Sequence, residues 1–150
     1  MAQAKPKPKP KTSAKTKTQP TAVSVDAFLA RVQDETLRED CRVVIKIMKR
    51  ITKAPPRMWG ASIVGFGTTR LVYPNGREAD WPIAAFAPRG REITVYGMGA
   101  MLPRTALMTK LGRHRTGKGC LYLKGLADVD LAVLEQLIDG SVKHTKQTQG

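Results

Sequence analysis

A glycine-rich, cationic segment, residues 112–119, is the part of this chain that comes closest to a known chemical motif. Its sequence, GRHRTGKG, follows the phosphate-binding pattern G-x-x-x-x-G-K-[ST] up to the last position, where Gly119 offers no hydroxyl to a magnesium ion. That pattern needs a strand before it and a helix after it, whereas here a predicted helix precedes and a predicted strand follows. Nucleotide hydrolysis is therefore not expected. Two interpretations stay open: a loop that holds a phosphate or carboxylate without catalysis, or a solvent-exposed connection.

Cations cluster around this loop, because residues 93–127 contain no acid. A basic patch of this kind attracts phosphates, nucleic acid or anionic surfaces, and it also serves simply as a solvated face. Trp59 and Arg89 are also candidates for a ligand site, because such sites combine aromatic walls with a few polar groups. Core packing is the other interpretation of Trp59. The candidate ligand-binding residues are Trp59, Arg89, Lys110, Arg113, His114, Arg115 and Lys118.

Four acids near the start of a predicted helix form an alternative candidate, a metal site. Carboxylate oxygens suit hard or ferrous cations, and Glu35 and Glu39 lie four residues apart, so they face the same way on a helix. Helix capping plus solvation is the other interpretation of these acids. The candidate metal ligands are Asp34, Glu35, Glu39 and Asp40.

The remaining reactive side chains do not combine into a catalytic or zinc-binding set. His114 and His144 have no acid or cysteine nearby in the sequence that suggests a catalytic pair. Together with Cys41 and Cys120 they lack the spacing of zinc ligands. The sequence therefore predicts no catalytic residue and no enzyme activity.

Lys alternates with Pro over residues 5–11, and the first 20 residues hold no acid. Such a segment cannot bury a core, so it is predicted to be a disordered arm. The whole chain has 26 Lys+Arg against 12 Asp+Glu, a formal charge of +14, and the arm is a candidate for non-specific nucleic-acid binding. The residues that would contribute are Lys5, Lys7, Lys9, Lys11, Lys15 and Lys17.

Composition limits the class and the compartment of the protein. A hydrophobic fraction of 41% in 150 residues is enough for the core of one domain, so wholesale disorder is excluded. No apolar stretch approaches the roughly 20 residues that a membrane span needs, and no apolar segment of a signal peptide follows Met1. Two cysteines do not make a disulfide framework, so we expect a cytoplasmic protein with no membrane partner.

Hydrophobic periodicity predicts four helices and four strands. The clearest helix carries Leu37, Cys41, Val44 and Met48 at spacings of three and four residues. The predicted helices span 25–33, 36–53, 103–111 and 129–144, and the predicted strands span 63–73, 78–86, 92–98 and 120–124. The order ααβββαβα indicates an α+β fold, an antiparallel four-stranded sheet with helices packed on it. The domain is predicted over 21–146, with a flexible tail at 147–150.

Four separated motifs resemble the YdhG-like family, a domain of unknown function. They are MWGASIVGFG at 58–67, FAPR at 86–89, LGRHRTGKGCLY at 111–122 and LADVDL at 126–131. The resemblance covers residues 22–145 and leaves out the arm. It implies a small α+β domain without an established enzyme activity. Some members are described as frataxin-like iron chaperones, so it also implies iron as an alternative cofactor, while the family often has Ser at the position of Gly119.

Three functions follow as expectations. The leading one is a non-catalytic domain that binds an anionic small molecule or partner through residues 110–124. The alternatives are a frataxin-like iron carrier, which needs clustered exposed acids, and a nucleic-acid-associated protein, which needs exposed cations and aromatic side chains. Convergence of Trp59, Arg89, Arg113 and Lys118 on one pocket would favour a small anion, and a flat basic face would favour nucleic acid.

Overall fold

Two long helices and one antiparallel sheet form the framework of the protein. The computed structural model describes residues 21, 23–72 and 74–149; the predicted arm, residues 1–20, lies outside them. The helices are α1 (Val25–Ala30), α2 (Glu35–Thr52), α3 (Thr105–Leu111) and α4 (Leu131–Gln149), with a short 3-10 turn at Leu126–Asp128. The strands are β1 (Pro56–Trp59), β2 (Ile63–Phe66), β3 (Thr69–Val72), β4 (Glu78–Trp81), β5 (Ala84–Arg89), β6 (Glu92–Val95), β7 (Arg115–Thr116) and β8 (Leu121–Leu123).

The α+β class is confirmed, but the predicted four-stranded sheet is wrong. Six strands form one sheet in the order β1-β2-β5-β6-β8-β7, and β3 pairs with β4 in a separate hairpin. Gly67, with φ 69°, divides the run predicted as one strand over 63–73. The buried Pro82, which has no N–H for a ladder, divides the run predicted over 78–86.

Capping residues and prolines in the sequence determine both ends of α2. The Asp34 carboxylate accepts a hydrogen bond from the Leu37 N–H at 3.1 Å, which caps the start of the helix. At the other end Lys53 adopts a left-handed conformation with φ 60°, and the prolines at 55 and 56 follow. The predicted span of 36–53 therefore agrees with the helix to within one residue at each end.

The four helices pack on one face of the sheet, which we call the helix face. Register places Met58 opposite Val64, Val64 opposite Phe86, and Phe86 opposite Val95. These side chains share one buried core with the apolar stripes of all four helices. The core therefore lies between this face and the helix layer, and it leaves the other side of the sheet without a helix from the described part of the chain.

The second side of the sheet, which we call the open face, carries the alternate residues of the same strands. Trp59, Ala85, Ala87 and Thr94 lie on it and are buried, yet they are not part of the core beneath the helices. Small residues and one indole thus fill this face locally.

α4 runs to Gln149, five residues beyond its predicted end at 144 and into the segment predicted as a tail. Among the described residues, no helix has the length and apolarity to cross a membrane.

Candidate functional site

A pocket of about 240 Å³ lies beside strand β8 and collects residues from three segments of the chain. We call it the basic pocket. It is lined by Glu92, Arg113, His114, Arg115, Tyr122 and Lys124. Three of these side chains carry a permanent positive charge and one is a carboxylate, so the lining favours an anion.

The glycines of the 112–119 segment are explained by packing. A Cβ at Gly112 would lie 2.2 Å from the Asp128 carbonyl oxygen, and a Cβ at Gly117 would lie 2.8 Å from the Tyr122 hydroxyl oxygen. Next to Gly112, the Arg113 N–H donates to the same Asp128 carbonyl at 3.1 Å. The glycines therefore let the loop dock closely on the segment before α4 and on β8, and this close docking aims the intervening cations at the basic pocket.

Arg115 contacts two other residues that line the basic pocket. Its guanidinium donates to the Glu92 carboxylate at 2.6 Å, and its guanidinium carbon lies 4.5 Å from the centre of the Tyr122 ring. Both contacts follow from the sheet, because β7 and β6 pair with β8 from opposite sides. The ion pair and the cation–π contact hold the planar guanidinium in one orientation against the tyrosine ring.

Arg113, His114 and Lys124 keep hydrogen-bonding capacity for a ligand. Arg113 forms an exposed ion pair with Asp128 at 3.9 Å, which is too long for a hydrogen bond, so its N–H groups can still donate to a ligand. His114 donates from Nδ1 to the Gly112 carbonyl at 2.8 Å, so Nε2 is the ring nitrogen left for another partner. Lys124 is exposed and makes no ion pair with any residue that the structure describes.

The other predicted ligand-binding residues lie outside the basic pocket. Trp59 is 1% exposed, and its ring crosses Gly65, where a Cβ would lie 2.6 Å from the indole Cδ1. Arg89 lies on the open face and donates from Nε to the Tyr96 hydroxyl at 3.1 Å. Lys110 and Lys118 are exposed, at the end of α3 and in the β7–β8 turn. Of Trp59, Arg89, Arg113 and Lys118, Arg113 alone is among the lining residues.

Three of the four acids of the alternative metal site are engaged in other contacts. Asp34 is occupied as the cap of α2, and Asp40 accepts from the Leu126 N–H at 3.1 Å. Glu39 pairs with Arg42. Within the described residues no group of three or more His, Cys, Asp or Glu side chains is arranged to hold a metal. We therefore derive no chemistry through iron at Asp34, Glu35, Glu39 and Asp40.

The two thiols differ in their surroundings. Cys41 lies in the core on α2, and burial, with a smaller contribution from the Asp40 carboxylate, raises the pKa of its thiol to about 12. Cys120 is partly exposed, and both cysteines are free. A thiol kept protonated by burial is a weak nucleophile, so Cys41 serves packing.

Three lining residues are absent from the candidate ligand-binding residues of the sequence analysis: Glu92, Tyr122 and Lys124. Glu92 is far from the 112–119 segment in the chain and reaches Arg115 because β6 and β7 both pair with β8. Tyr122 and Lys124 are two residues apart in the predicted strand 120–124, so both lie on the same face of the sheet. This alternation was the sequence signal that could have placed them together.

Two larger cavities lie away from the basic pocket. One, of about 690 Å³, lies between α1 and the turns β1–β2 and β5–β6, and Arg31 and Arg91 line it together with Phe28 and Val32. The other, of about 580 Å³, lies between the start of α1, α2 and β1. We base the functional site on the basic pocket, because contacts within the described chain orient its Arg115 and His114.

Comparisons of the chain with protein-family models, with curated proteins and with solved structures found no match.

Proposed function

We propose that the protein is a non-catalytic binding domain whose basic pocket takes an anionic ligand, with a phosphate group as the best chemical match. The observation that supports this most directly is the lining of the pocket, where Arg113, Arg115 and Lys124 face the single carboxylate of Glu92. Because Glu92 is already paired with Arg115, an incoming anion meets the free donors of Arg113 and Lys124.

Each side chain has a role in this scheme. Arg113 offers the planar fork of donors that matches two oxygens of a phosphate, and Lys124 adds a point charge. His114 keeps Nε2 available to a ligand, since Nδ1 donates to the Gly112 carbonyl. Arg115, fixed by Glu92 and Tyr122, supplies a rigid wall that loses little freedom on binding.

The cytoplasm remains the proposed compartment, supported by the two free cysteines. Membership of the YdhG-like family remains a proposal; it would imply an α+β fold and would not itself supply a ligand. We assign no general base or nucleophile in the pocket, because its one carboxylate is engaged in the ion pair with Arg115.

Titration calorimetry with inorganic pyrophosphate tests this function. We expect Arg113→Gln and Lys124→Gln each to weaken binding about tenfold or more, since a hydrogen bond to a charged group is worth roughly 1.5–3 kcal/mol. The matched control is Lys49→Gln, which removes the same charge from an exposed position on α2. Equal affinities for the three variants and the unmodified protein, or no binding by any of them, would overturn the proposal.

A further inference from the structure

The open face extends beyond the basic pocket as a row of aromatic and cationic side chains. Thr94 on β6 lies opposite Tyr122 on β8, and Arg115 on β7 lies opposite the same tyrosine. Tyr96 follows Thr94 by two residues, so it shares this face, and its hydroxyl accepts a hydrogen bond from Arg89. Two tyrosines, each beside an arginine, therefore lie on neighbouring strands of one surface.

The floor between these side chains is made of small residues. Ala85, Ala87 and Thr94 are buried, while Tyr96 and Tyr122 are half-buried and keep part of their rings accessible. Thr94 as a whole residue is 3% exposed. Small buried residues therefore form the floor, and the half-buried tyrosine rings stand above it.

The charge of this surface is positive from one end to the other. Arg57, Arg89, Arg115 and Lys124 are exposed on it or at its rim, against the half-buried acid Glu92. Flat rings next to guanidinium planes bind the faces of nucleic-acid bases, while the cations follow the phosphates. An acidic peptide would be attracted by the same charges but has no bases to stack on the tyrosines.

We propose that the open face binds single-stranded nucleic acid, with a backbone phosphate in the basic pocket and bases stacked on Tyr96 and on the Arg115–Tyr122 pair; this rests on the proposed function. From β5 to β7 the face crosses three strand spacings, about 14 Å. That width suits two or three bases, the number that sheet-based RNA readers stack. A duplex hides its base faces, so single strands are the form this surface selects.

Fluorescence anisotropy of the full chain with fluorescein-labelled oligo(dT)₁₀ tests the proposal. We expect Tyr96→Ala to weaken binding about tenfold, because stacking on one aromatic side chain typically contributes that much. Tyr96→Phe keeps the ring and should bind within about twofold of the unmodified protein. Neither change should alter pyrophosphate binding, since Tyr96 does not line the basic pocket.

A second variant, Arg89→Gln, keeps the proposal testable if Tyr96→Ala fails to fold. Arg89→Gln changes an exposed side chain and should reduce the salt dependence of oligo(dT)₁₀ binding by about 0.7 in log–log slope. If pyrophosphate binding depends on Arg113 but oligonucleotide affinity is unchanged in both Tyr96→Ala and Arg89→Gln, this inference is overturned and the proposed function is not. Equally tight, equally Tyr96-dependent binding of a duplex of the same length or of poly-glutamate would also overturn this inference. Loss of Arg113-dependent pyrophosphate binding would overturn the proposed function instead.

Discussion

Gly112 has a backbone conformation that glycine alone adopts readily, with φ 104° and ψ −155°. Its position against the Asp128 carbonyl leaves no room for a Cβ, and a backbone atom cannot move aside as a flexible side chain would. We predict that Gly112→Ala lowers the free energy of unfolding by about 3 kcal/mol or more. Urea denaturation followed by circular dichroism measures the loss.

Gly119 provides the matched control for that substitution. It also has a positive φ, 75°, but a Cβ there would meet no atom within 4 Å. Gly119→Ala should therefore cost only the backbone strain, about 1–2 kcal/mol. Losses of the same size at the two positions would contradict the packing role given to Gly112.

Burial of the Cys41 thiol predicts a defined response to pH. Its pKa is about 12 in the folded protein against 9.0 for an ordinary thiol, so only the unfolded chain loses this proton between pH 9 and 12. The stabilisation that this protonated thiol contributes is fully present below pH 9, and it is lost as the pH rises from 9 to 12. We expect the alkaline fall in the free energy of unfolding to be smaller for Cys41→Ala than for the unmodified protein.

Thiol labelling provides an independent check on the same residue. At pH 8 a maleimide should modify the partly exposed Cys120 and spare Cys41 until the protein is unfolded. Rapid modification of both thiols in the native protein would contradict the burial of Cys41.

At the level of elements, the helices were predictable because their apolar residues repeat at helical spacing and their ends carry strong signals. α2 and α3 lie within two residues of their predicted ends. The strands were harder. β1 begins at Pro56, directly after the helix stop, and its four residues do not alternate between apolar and polar. β7 has two residues, too few to produce a pattern, and it exists because β8 offers it a partner.

Asp40 connects two elements that lie far apart in the chain. Its carboxylate on α2 accepts from the N–H of Leu126, which begins the 3-10 turn before α4. We predict that Asp40→Ala lowers the free energy of unfolding by about 2 kcal/mol, because a part-buried N–H loses its charged acceptor. Asp40→Asn, which keeps an acceptor oxygen, should lose less, and urea denaturation measures both.

The neighbouring acid on the same helix is the control. Glu39 is exposed and pairs with Arg42 one turn away, so Glu39→Ala should change stability by less than about 0.5 kcal/mol. If Glu39→Ala were as costly as Asp40→Ala, the long-range hydrogen bond would not be the source of the effect.

At the scale of the whole molecule, the site is located by the pairing of strands, which cannot be determined from a single sequence. The 112–119 segment was recognisable from its glycines and cations, and Arg113, His114 and Arg115 do line one pocket. Trp59 could be read either as a pocket wall or as core. Its burial over Gly65 is set by the β1–β2 register, in which Arg57 lies opposite Gly65 and Trp59 lies opposite Ile63. Register of this kind is a tertiary property.

The lysines of the arm, residues 1–20, contribute to the net charge of +14, so we predict the effect of deleting this segment. These residues lie outside those that the structure describes. These residues can bury almost no apolar surface, so their deletion should leave the melting temperature unchanged within about 2 °C. Oligonucleotide binding should weaken and its log–log salt slope should become shallower by up to about 4, since six lysines are lost at roughly 0.7 each. A large fall in melting temperature would show that the arm packs on the domain.

The order of strands in the six-stranded sheet has a consequence for how quickly the chain folds. Every neighbouring pair is antiparallel, and from β1 to β6 the order follows the chain apart from the inserted β3–β4 hairpin. Such a sheet grows by adding one hairpin at a time, so little loop-closure entropy opposes each step. Refolding on the order of milliseconds is expected, and stopped-flow fluorescence of Trp59 and Trp81 would follow it. A newly made chain would then expose its apolar strands only briefly, which shortens the time in which they can aggregate.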